Sequence, residues 1–422
     1  MEVPPLSLST SSPTPLTSAP PDFNSDPAWK LPGWFEPVVV ACILFGACYF
    51  TRRRRYSVFG GVRKRISILD DDSVSSRNAL LSGSDTELSS RESSDGEDDD
   101  SYYSDISTLK NPPKRRSCCG ITFWTPNTSR FKDNWHSRVL HKFPFLLEMF
   151  YWVITYIIYR LTHIFAQLYF EKSIWDVAQA NGLRILAFEQ FSPFRFAFPV
   201  MEIQVQNWFL QNHPLFLTIL NKFYALIHIP GSVYFMAWYY YAAPRHAIFA
   251  KVRRTVTLCN LLAFVVFTMY PCMPPRLLPK EYGFIDTVRR DSAESVWMAG
   301  KFVNHLAAMP SMHFGYSFMI GVTCLYHAGA FRWLGCGYEN KSSKGLRIAL
   351  GVFGAMYPLA LLTTIVATAN HYYMDVIVAI FVATFSLLCN RVFMVFVPLE
   401  DLLFWCLRVE RPRHNTGVGF KR

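Results

Sequence analysis

The sequence predicts an all-α polytopic membrane protein, and three observations lead to that fold class. First, 51% of the 422 residues are hydrophobic, and they cluster in runs of about 20, the length of helix that crosses the hydrocarbon core of a bilayer. Second, the run 255–273 contains no charged residue. Third, the net charge of +11 comes from Lys and Arg that mostly flank the apolar runs, which indicates membrane topology and no nucleic-acid partner.

The N-terminal third of the chain is predicted to contain one span between two disordered segments. Residues 1–30 are rich in Pro, Ser and Thr, which predicts a disordered tail. The apolar stretch 31–50 is followed at once by the arginines 52–55, so 31–55 is predicted to be a transmembrane helix with a basic stop on its cytoplasmic side. Residues 56–142 are polar and include the stretch SSDGEDDDS. They are predicted to be a disordered cytoplasmic segment because they cannot bury an apolar core.

Six further apolar segments predict a six-transmembrane domain over 143–398, followed by a basic cytoplasmic tail, 399–422. The segments are 143–168, 214–242, 255–273, 312–330, 347–369 and 376–398. With 56–142 in the cytoplasm, the loops 243–254 and 331–346 and the tail fall on the same side, and all three are basic, as the positive-inside rule requires. The outer loop 274–310 breaks the rule, because it contains five Lys or Arg residues. It is therefore a candidate site.

A first candidate motif, YPCMPPRLLP at 270–279, ends a predicted span and carries Arg276. Its consecutive prolines stop the helix and stiffen the chain. The guanidinium group of Arg276 can hold a phosphate through two parallel hydrogen bonds. The alternative is an interfacial arginine that meets lipid head groups.

A second motif, AAMPSMHFGYS at 307–317, opens a predicted span. Pro310 suits the start of a helix, and Ser311 is a predicted N-cap or early helical residue. The positive dipole end of such a helix favours an anion, which would lie beside Ser311 and His313. The alternative is a capped helix with an interfacial histidine.

A third motif, TANHYYMDVIVA at 368–379, contains His371 and Asp375 four residues apart, which predicts that they share a helical face. A carboxylate at that spacing can accept the Nδ1 proton of the imidazole and leave Nε2 as a nucleophile. The alternative is a structural pair at a helix start. Charged residues are costly at membrane depth, which favours a functional role.

The predicted topology places Arg276, His313 and His371 at the outer ends of spans. One anion would then meet an arginine, a helix N-terminus, an acid histidine and an activated histidine, an arrangement that suits phosphoryl transfer. Asp and His side chains also suit a metal site. Two histidines and one aspartate, without further clustered carboxylates, fit a metal-free phosphohistidine route at least as well, so we expect no metal and no cofactor.

The motifs PSMH and HYYMD resemble the Pro-Ser-x-His and His-x-x-x-Asp elements of the type-2 phosphatidic acid phosphatase superfamily. Three stretches resemble the branch that contains the inositol phosphorylceramide synthases and related inositolphosphotransferases: PPR at 274–276, NGLRILAFEQ and LNKFYALIHIPGSVYFMAWYYYAAPRHAIFAKVRR. The resemblance covers roughly 140–400. It implies a six-helix phosphatidic acid phosphatase-like core with the site at one membrane face.

The resemblance also implies a role for each candidate residue. His371 would be the nucleophile that forms a phosphohistidine, and Asp375 would orient it. His313 would protonate the leaving alcohol and then activate the acceptor. Arg276 and Ser311, with backbone N–H groups, would bind the phosphate.

This sequence departs from the broad phosphatase pattern at positions that usually bind phosphate. The expected lysine is Met269, and the expected Ser-Arg pair is Thr364 and Ile365. The loss of two cations argues against a generic phosphatase and fits the synthase branch. Arg289 or Arg290 is a candidate replacement.

Three functions remain open from the sequence. The first is a lipid phosphotransferase that moves a phosphorylated head group, with inositol phosphate expected, from a membrane phospholipid donor to a lipid alcohol acceptor such as ceramide. That function would belong to sphingolipid metabolism. The second is a lipid phosphate phosphatase that hydrolyses phosphatidate-like or isoprenyl phosphates, and the third is a non-catalytic membrane scaffold. We expect a eukaryotic endomembrane, Golgi or endoplasmic reticulum, with the active site on the lumenal or exterior side.

Overall fold

The computed structural model of the protein describes part of the chain. The described residues are 34–59, 114–118, 121–170, 174–191, 196, 198–287, 306–334 and 343–417. The predicted disordered tail 1–30 and most of the predicted disordered segment 56–142 lie outside these residues.

Helices dominate the described chain, and the predicted all-α membrane fold class is confirmed. The helices are α1 Phe35–Thr51, α2 Trp135–Lys142, α3 Phe145–Phe170, α4 Ile174–Gln190, α5 Glu202–Asn212, α6 Pro214–Lys222, α7 His228–Ala242, α8 His246–Met269, α9 Met312–Ala328, α10 Lys344–Ala367, α11 Tyr373–Cys389 and α12 Val397–Cys406. Four helical stretches in the described residues are long and apolar enough to cross a membrane, which indicates an integral membrane protein. They are Phe145–Thr162, His246–Met269, Lys344–Ala367 and Tyr373–Cys406.

Two other predicted spans are helical but differ in form from a single long helix. The predicted span 214–242 consists of α6, a π-helical turn at Phe223–Ile227, and α7. The predicted span 312–330 corresponds to α9, which has 17 residues. The first predicted span, 31–50, corresponds to α1, also of 17 residues. The count of six spans in the core stays a prediction.

Two regions contain regular structure that the sequence did not indicate. The C-terminal end of the segment 56–142 was predicted to be disordered, and this is wrong. It contains an antiparallel hairpin of β1, Lys114–Cys118, and β2, Ile121–Thr125, followed by α2. The stretch 170–213, between two predicted spans, contains α4 and α5. Both helices mix apolar and polar residues. Neither contains a long apolar run by which the sequence would have marked it.

The chain divides into two compact units. Of the described residues, the first unit comprises those within Met1–Ile43, Ile154–Ala237 and Thr255–Leu388, and the second comprises those within Leu44–Val153, Trp238–Arg254 and Cys389–Arg422. All three candidate motifs fall within the first unit.

In the first unit, the backbones of α9 and α10 approach each other through two glycines. A Cβ atom on Gly321 would lie 2.5 Å from the carbonyl oxygen of Gly354, and a Cβ on Gly354 would lie 2.8 Å from the carbonyl oxygen of Gly321. Small residues allow such close helix packing in membranes. His313 is in the first turn of α9, and His371 follows the end of α10. The glycine contact therefore helps to fix the relative position of the two histidines.

In the second unit, buried polar groups hold the chain that follows α12. The guanidinium group of Arg53 donates hydrogen bonds to the carbonyl oxygens of His141, at 3.0 Å, and Arg413, at 2.9 Å. The Nε2 atom of His141 lies 2.8 Å from a carboxylate oxygen of Glu410. The predicted basic tail 399–422 thus begins within a helix and continues as a segment bonded to its own unit.

Candidate active site

Main-chain hydrogen bonds join the three candidate motifs. The Cys272 N–H donates to the carbonyl oxygen of Leu306 at 2.7 Å, and the Ala308 N–H donates to that of Cys272 at 3.1 Å. The Ser311 N–H donates to the carbonyl oxygen of Asp375 at 3.1 Å. The first motif therefore pairs with the second, and the second pairs with the third. The structure brings together segments that are about 100 residues apart in the sequence.

Arg276 lies in a short 3-10 turn, Pro275–Leu277, and reaches the third motif through its backbone. Its N–H donates to the carbonyl oxygen of Ala369 at 2.9 Å. One terminal nitrogen of its guanidinium group lies 2.9 Å from a carboxylate oxygen of Asp286. Its Nε is buried and has no hydrogen-bond partner in the described part of the chain. Asp286 thus holds the guanidinium group in place, and the Nε–H group remains available to donate to an anion.

Ser311 caps the N-terminus of α9, as the sequence predicted. Its backbone is extended, and its hydroxyl oxygen accepts the N–H of Phe314 at 3.3 Å. The residue is fully buried. The cap uses the hydroxyl as an acceptor, so its proton is still available to donate to an anion beside the positive end of the helix.

His371 is held in one orientation by two acceptors. Its Nδ1 lies 2.8 Å from the carbonyl oxygen of Ala308 and 3.3 Å from Oδ2 of Asp375. A carbonyl oxygen only accepts hydrogen bonds, so Nδ1 carries the proton in the neutral ring. This leaves the lone pair on Nε2, the atom that the sequence predicted as the nucleophile.

One local detail of the third motif differs from the prediction. His371 and Asp375 were predicted to share a helical face, but α11 begins at Tyr373, so His371 lies in the turn before it. Oδ2 of Asp375 accepts the N–H of Tyr372 at 2.9 Å, as an acidic residue in the third helical position does when it satisfies a helix N-terminus. Ala369, in the same turn, has a φ of +52°, in the left-handed region that is uncommon for a residue with a Cβ.

His313 lies next to His371. The centroids of the two rings are 6.1 Å apart. Nδ1 of His313 lies 3.1 Å from the hydroxyl oxygen of Tyr224, and the two rings stack with centroids 4.1 Å apart. Its Nε2 is buried without a partner among the described residues. A second histidine beside the predicted nucleophile is an arrangement that suits general acid catalysis.

Two buried glutamates accept hydrogen bonds from the first N–H groups of α11. The sequence did not indicate either of them. Oε1 of Glu202 accepts the N–H of Tyr373 at 3.1 Å, and Oε1 of Glu189 accepts the N–H of Met374 at 2.8 Å. Both side chains are fully buried. Burial, and then a hydrogen bond and charge interaction with Glu202, raise the pKa of Glu189 well above its ordinary value of 4.5. We infer that Glu189 keeps its proton and shares it with Glu202, because two ionised carboxylates cannot bond to each other.

Glu189 was within reach of sequence analysis, because it belongs to the segment NGLRILAFEQ that carries part of the family resemblance. No spacing rule links it to Glu202 or to α11. The same segment contains Gly182, where a Cβ would lie 2.7 Å from the hydroxyl oxygen of Tyr372 and 2.9 Å from the carbonyl oxygen of Met273. That hydroxyl donates to the Met273 carbonyl at 2.9 Å. Helix α4 therefore packs directly against the turn that holds His371.

The positions that depart from the phosphatase pattern supply no cation to this site. Met269 is 77% exposed, and Thr364 and Ile365 are buried neutral residues of α10. The hydroxyl of Thr364 donates to the carbonyl oxygen of Ala360, one turn earlier. Arg289 and Arg290, the predicted replacements, lie outside the described residues.

Within the described ranges, the side chains close enough to share a metal ion are those of Glu148, His246 and His414, in the second unit. Arg253 donates to both carboxylate oxygens of Glu148, at 2.8 and 3.0 Å. The rings of His246 and His414 stack in parallel at 3.5 Å, so their in-plane lone pairs do not converge on one point. We interpret this group as an ion-pair cluster.

Comparison with known proteins finds a match in the region that holds the candidate site. No curated protein and no solved structure matches the chain. The family model of the PAP2 superfamily matches residues 195–389, the region that contains Arg276, Ser311, His313, His371 and Asp375.

Proposed function

We propose that this chain is a membrane lipid phosphotransferase that works through a phosphohistidine on His371. It would take a phosphorylated head group from a glycerophospholipid and transfer it to a lipid alcohol. The match to the PAP2 superfamily supports lipid phosphatase or phosphotransferase activity in general. The narrower proposal rests on the charges around the candidate site.

The observation that carries the proposal is the pairing of Arg276 with Asp286. At 2.9 Å this carboxylate already balances the charge of the guanidinium group, and Asp375 adds a further buried carboxylate beside His371. Among the described residues, the candidate site therefore has little excess positive charge. A phosphate monoester carries close to two negative charges at neutral pH, whereas a phosphodiester carries one. The site suits a phosphodiester better, and a membrane phosphodiester is a glycerophospholipid.

The first step forms the covalent intermediate. Nε2 of His371 attacks phosphorus, and the bond from phosphorus to the oxygen of diacylglycerol breaks. His313 gives its Nε2 proton to that oxygen, so the leaving group departs as a neutral alcohol. Arg276, Ser311 and the N-terminus of α9 bind the phosphoryl oxygens as charge builds up.

The second step transfers the head group. The hydroxyl of a lipid alcohol attacks phosphorus and gives its proton to His313, and the bond from phosphorus to Nε2 of His371 breaks. Both histidines return to their starting states, as microscopic reversibility requires. Water in place of the lipid alcohol would give hydrolysis through the same intermediate.

The resemblance to the inositol phosphorylceramide synthase branch supports inositol phosphate as the transferred group and ceramide as the acceptor. The predicted topology supports a lumenal or exterior site in an endomembrane of the Golgi or endoplasmic reticulum.

The test is a product assay on the purified protein in lipid nanodiscs. Phosphatidylinositol labelled in the inositol ring is supplied with ceramide, and phosphatidate is supplied in a separate reaction. The expected products are an inositol phosphosphingolipid and diacylglycerol. His371→Ala is the control and is expected to form neither.

Free phosphate from phosphatidate, with no transferred head group from the diester, would make the chain a phosphatase and overturn the proposal. A His371→Ala variant with wild-type turnover would overturn the phosphohistidine route.

A further inference from the structure

A third histidine, His228, lies beside His313 and belongs to none of the three motifs. The centroids of the two rings are 5.2 Å apart, and the planes are inclined by 40°. His228 is 1% exposed. It is the first residue of α7, directly after the π-helical turn Phe223–Ile227.

The local sequence explains why the helix widens here. Pro230 has no N–H to donate and its ring crowds the carbonyl group of the preceding turn, so a regular helical hydrogen bond is missing at this point. The His228 N–H instead donates to the carbonyl oxygen of Phe223, five residues earlier. The wider turn directs both Tyr224 and His228 towards His313. Single π-helical turns inside helices occur frequently at functional sites.

The contacts of His228 leave one ring nitrogen available. Its Nδ1 lies 2.9 Å from the hydroxyl oxygen of Tyr357. Its Nε2 is buried and has no partner in the described chain, and the same is true of Nε2 of His313. Buried polar atoms almost always have a hydrogen-bond partner. Two such atoms on neighbouring rings indicate a polar ligand group between them.

We propose that His228 binds the hydroxyl oxygen of the alcohol that His313 deprotonates, and so forms the acceptor subsite for the lipid alcohol. This inference rests on the proposed phosphotransferase function. In this assignment the Tyr357 hydroxyl donates to Nδ1 of His228, so that the proton of that ring is on Nε2. Nε2–H of His228 then donates to the oxygen of the alcohol, while the O–H of the alcohol donates to Nε2 of His313.

The proton count is consistent through the transfer step. As the oxygen of the alcohol bonds to phosphorus, its proton moves to Nε2 of His313, and the phosphorus bond to Nε2 of His371 breaks. His228 keeps its proton throughout and acts by orientation. Diacylglycerol leaves from the same position in the first step, so His228 contacts both alcohols in turn.

The test compares His228→Phe, which keeps a ring but has no donor, with His228→Gln, which keeps an N–H donor. Transfer from phosphatidylinositol to ceramide is measured against ceramide concentration, and release of water-soluble inositol phosphate is measured in the same reactions. We expect His228→Phe to raise the KM for ceramide at least tenfold and to lower the ratio of transfer to hydrolysis. His228→Gln is expected to restore most of both values.

His327→Phe, at the opposite end of α9, is the matched control and is expected to behave as wild type. If His228→Phe fails to fold, Tyr357→Phe removes the partner that sets the tautomer and is expected to raise the KM for ceramide as well. An unchanged KM and transfer ratio in a folded His228 variant overturns the inference while leaving the proposed function intact. A wild-type protein that transfers nothing overturns both.

Discussion

Nδ1 of His371 is closer to the carbonyl oxygen of Ala308, at 2.8 Å, than to the carboxylate of Asp375, at 3.3 Å. The carbonyl group of Ala308 therefore fixes the tautomer of His371, the proposed nucleophile, even without the carboxylate of Asp375. In the proposed mechanism, the role left to Asp375 is electrostatic: it would stabilise the positive charge that develops on the ring when Nε2 bonds to phosphorus.

Asp375→Asn is therefore expected to be less damaging than His371→Ala. The amide oxygen can still accept the Tyr372 N–H, but the negative charge is lost. The rate of head-group transfer is therefore expected to fall about 100-fold, while a labelled phosphoenzyme still forms. The amount of phosphoenzyme is measured by quenched-flow labelling, and its loss in acid identifies the phosphohistidine. A loss of phosphoenzyme equal to that in His371→Ala would contradict a separate orienting role for Ala308.

His313→Ala is expected to slow transfer by about 10²- to 10⁴-fold, because the leaving alcohol departs without a proton. A donor with a 4-nitrophenyl leaving group needs no protonation and is expected to recover most of the lost rate of phosphoenzyme formation. The measurement is the burst of nitrophenolate in both proteins. Equal losses with the natural and the activated donor would show that His313 is not the general acid.

Glu189→Gln is expected to change how stability depends on pH. The raised pKa means that the folded protein keeps a proton that the unfolded chain releases above about 4.5. This contribution to stability is complete below that pH and is lost as pH rises through the folded pKa. Wild type should therefore lose thermal stability as pH rises, and the amide, a permanent donor to Glu202, should reduce the loss. Melting temperatures in detergent from pH 5 to 10 measure it.

Glu281→Gln, at an exposed position, is the control for that experiment and is expected to follow the wild-type curve. Parallel curves for wild type and Glu189→Gln would show that the two buried glutamates do not share a proton.

Gly182→Ala is expected to destabilise the protein by about 1–3 kcal/mol and to lower activity. The new methyl group would meet Tyr372, next to the nucleophile, and the fixed carbonyl group of Met273. Gly345→Ala in α10 meets nothing within 4 Å and should stay within about 1 kcal/mol of wild type. Thermal unfolding and transfer rates are measured on both. Equal behaviour would contradict the close packing of α4 against the site.

Asp286→Asn tests the assignment of a phosphodiester substrate. It frees the charge of Arg276, so the site should accept a doubly charged monoester better than before. We expect the KM for phosphatidate to fall several-fold relative to that for phosphatidylinositol, because the diester needs less positive charge. A change of both KM values by the same factor would argue against charge matching as the basis of substrate choice.

Sequence analysis found the residues whose chemistry is visible in a short motif. The cap at Ser311 and the pairing of His371 with Asp375 follow from spacing, because the partners are three and four residues apart in the sequence. The proximity of Arg276 to these residues could be predicted only from the order and direction of the predicted spans. Ala308 was missed because its contribution is a backbone carbonyl group, which every residue has.

The other missed features depend on contacts between distant segments. Glu202 is 171 residues before Tyr373, and Glu189 is 185 residues before Met374, the residues whose N–H groups they accept. His228 lay inside an apolar run and had no polar neighbour to mark it. Its significance depends on the π-helical turn that directs it to His313. The helices α4 and α5 lacked an apolar run long enough to separate them from a loop.

The glycine contact between α9 and α10 has a consequence for how the protein responds to its bilayer. A helix adjusts to a thicker or thinner membrane mainly by tilting. Two helices whose backbones touch at Gly321 and Gly354 are expected to tilt together, so that His313 and His371 keep their separation. The chemical step is then expected to proceed at the same rate in short-chain and long-chain lipids, while the entry of substrates from the surrounding leaflet responds to membrane thickness.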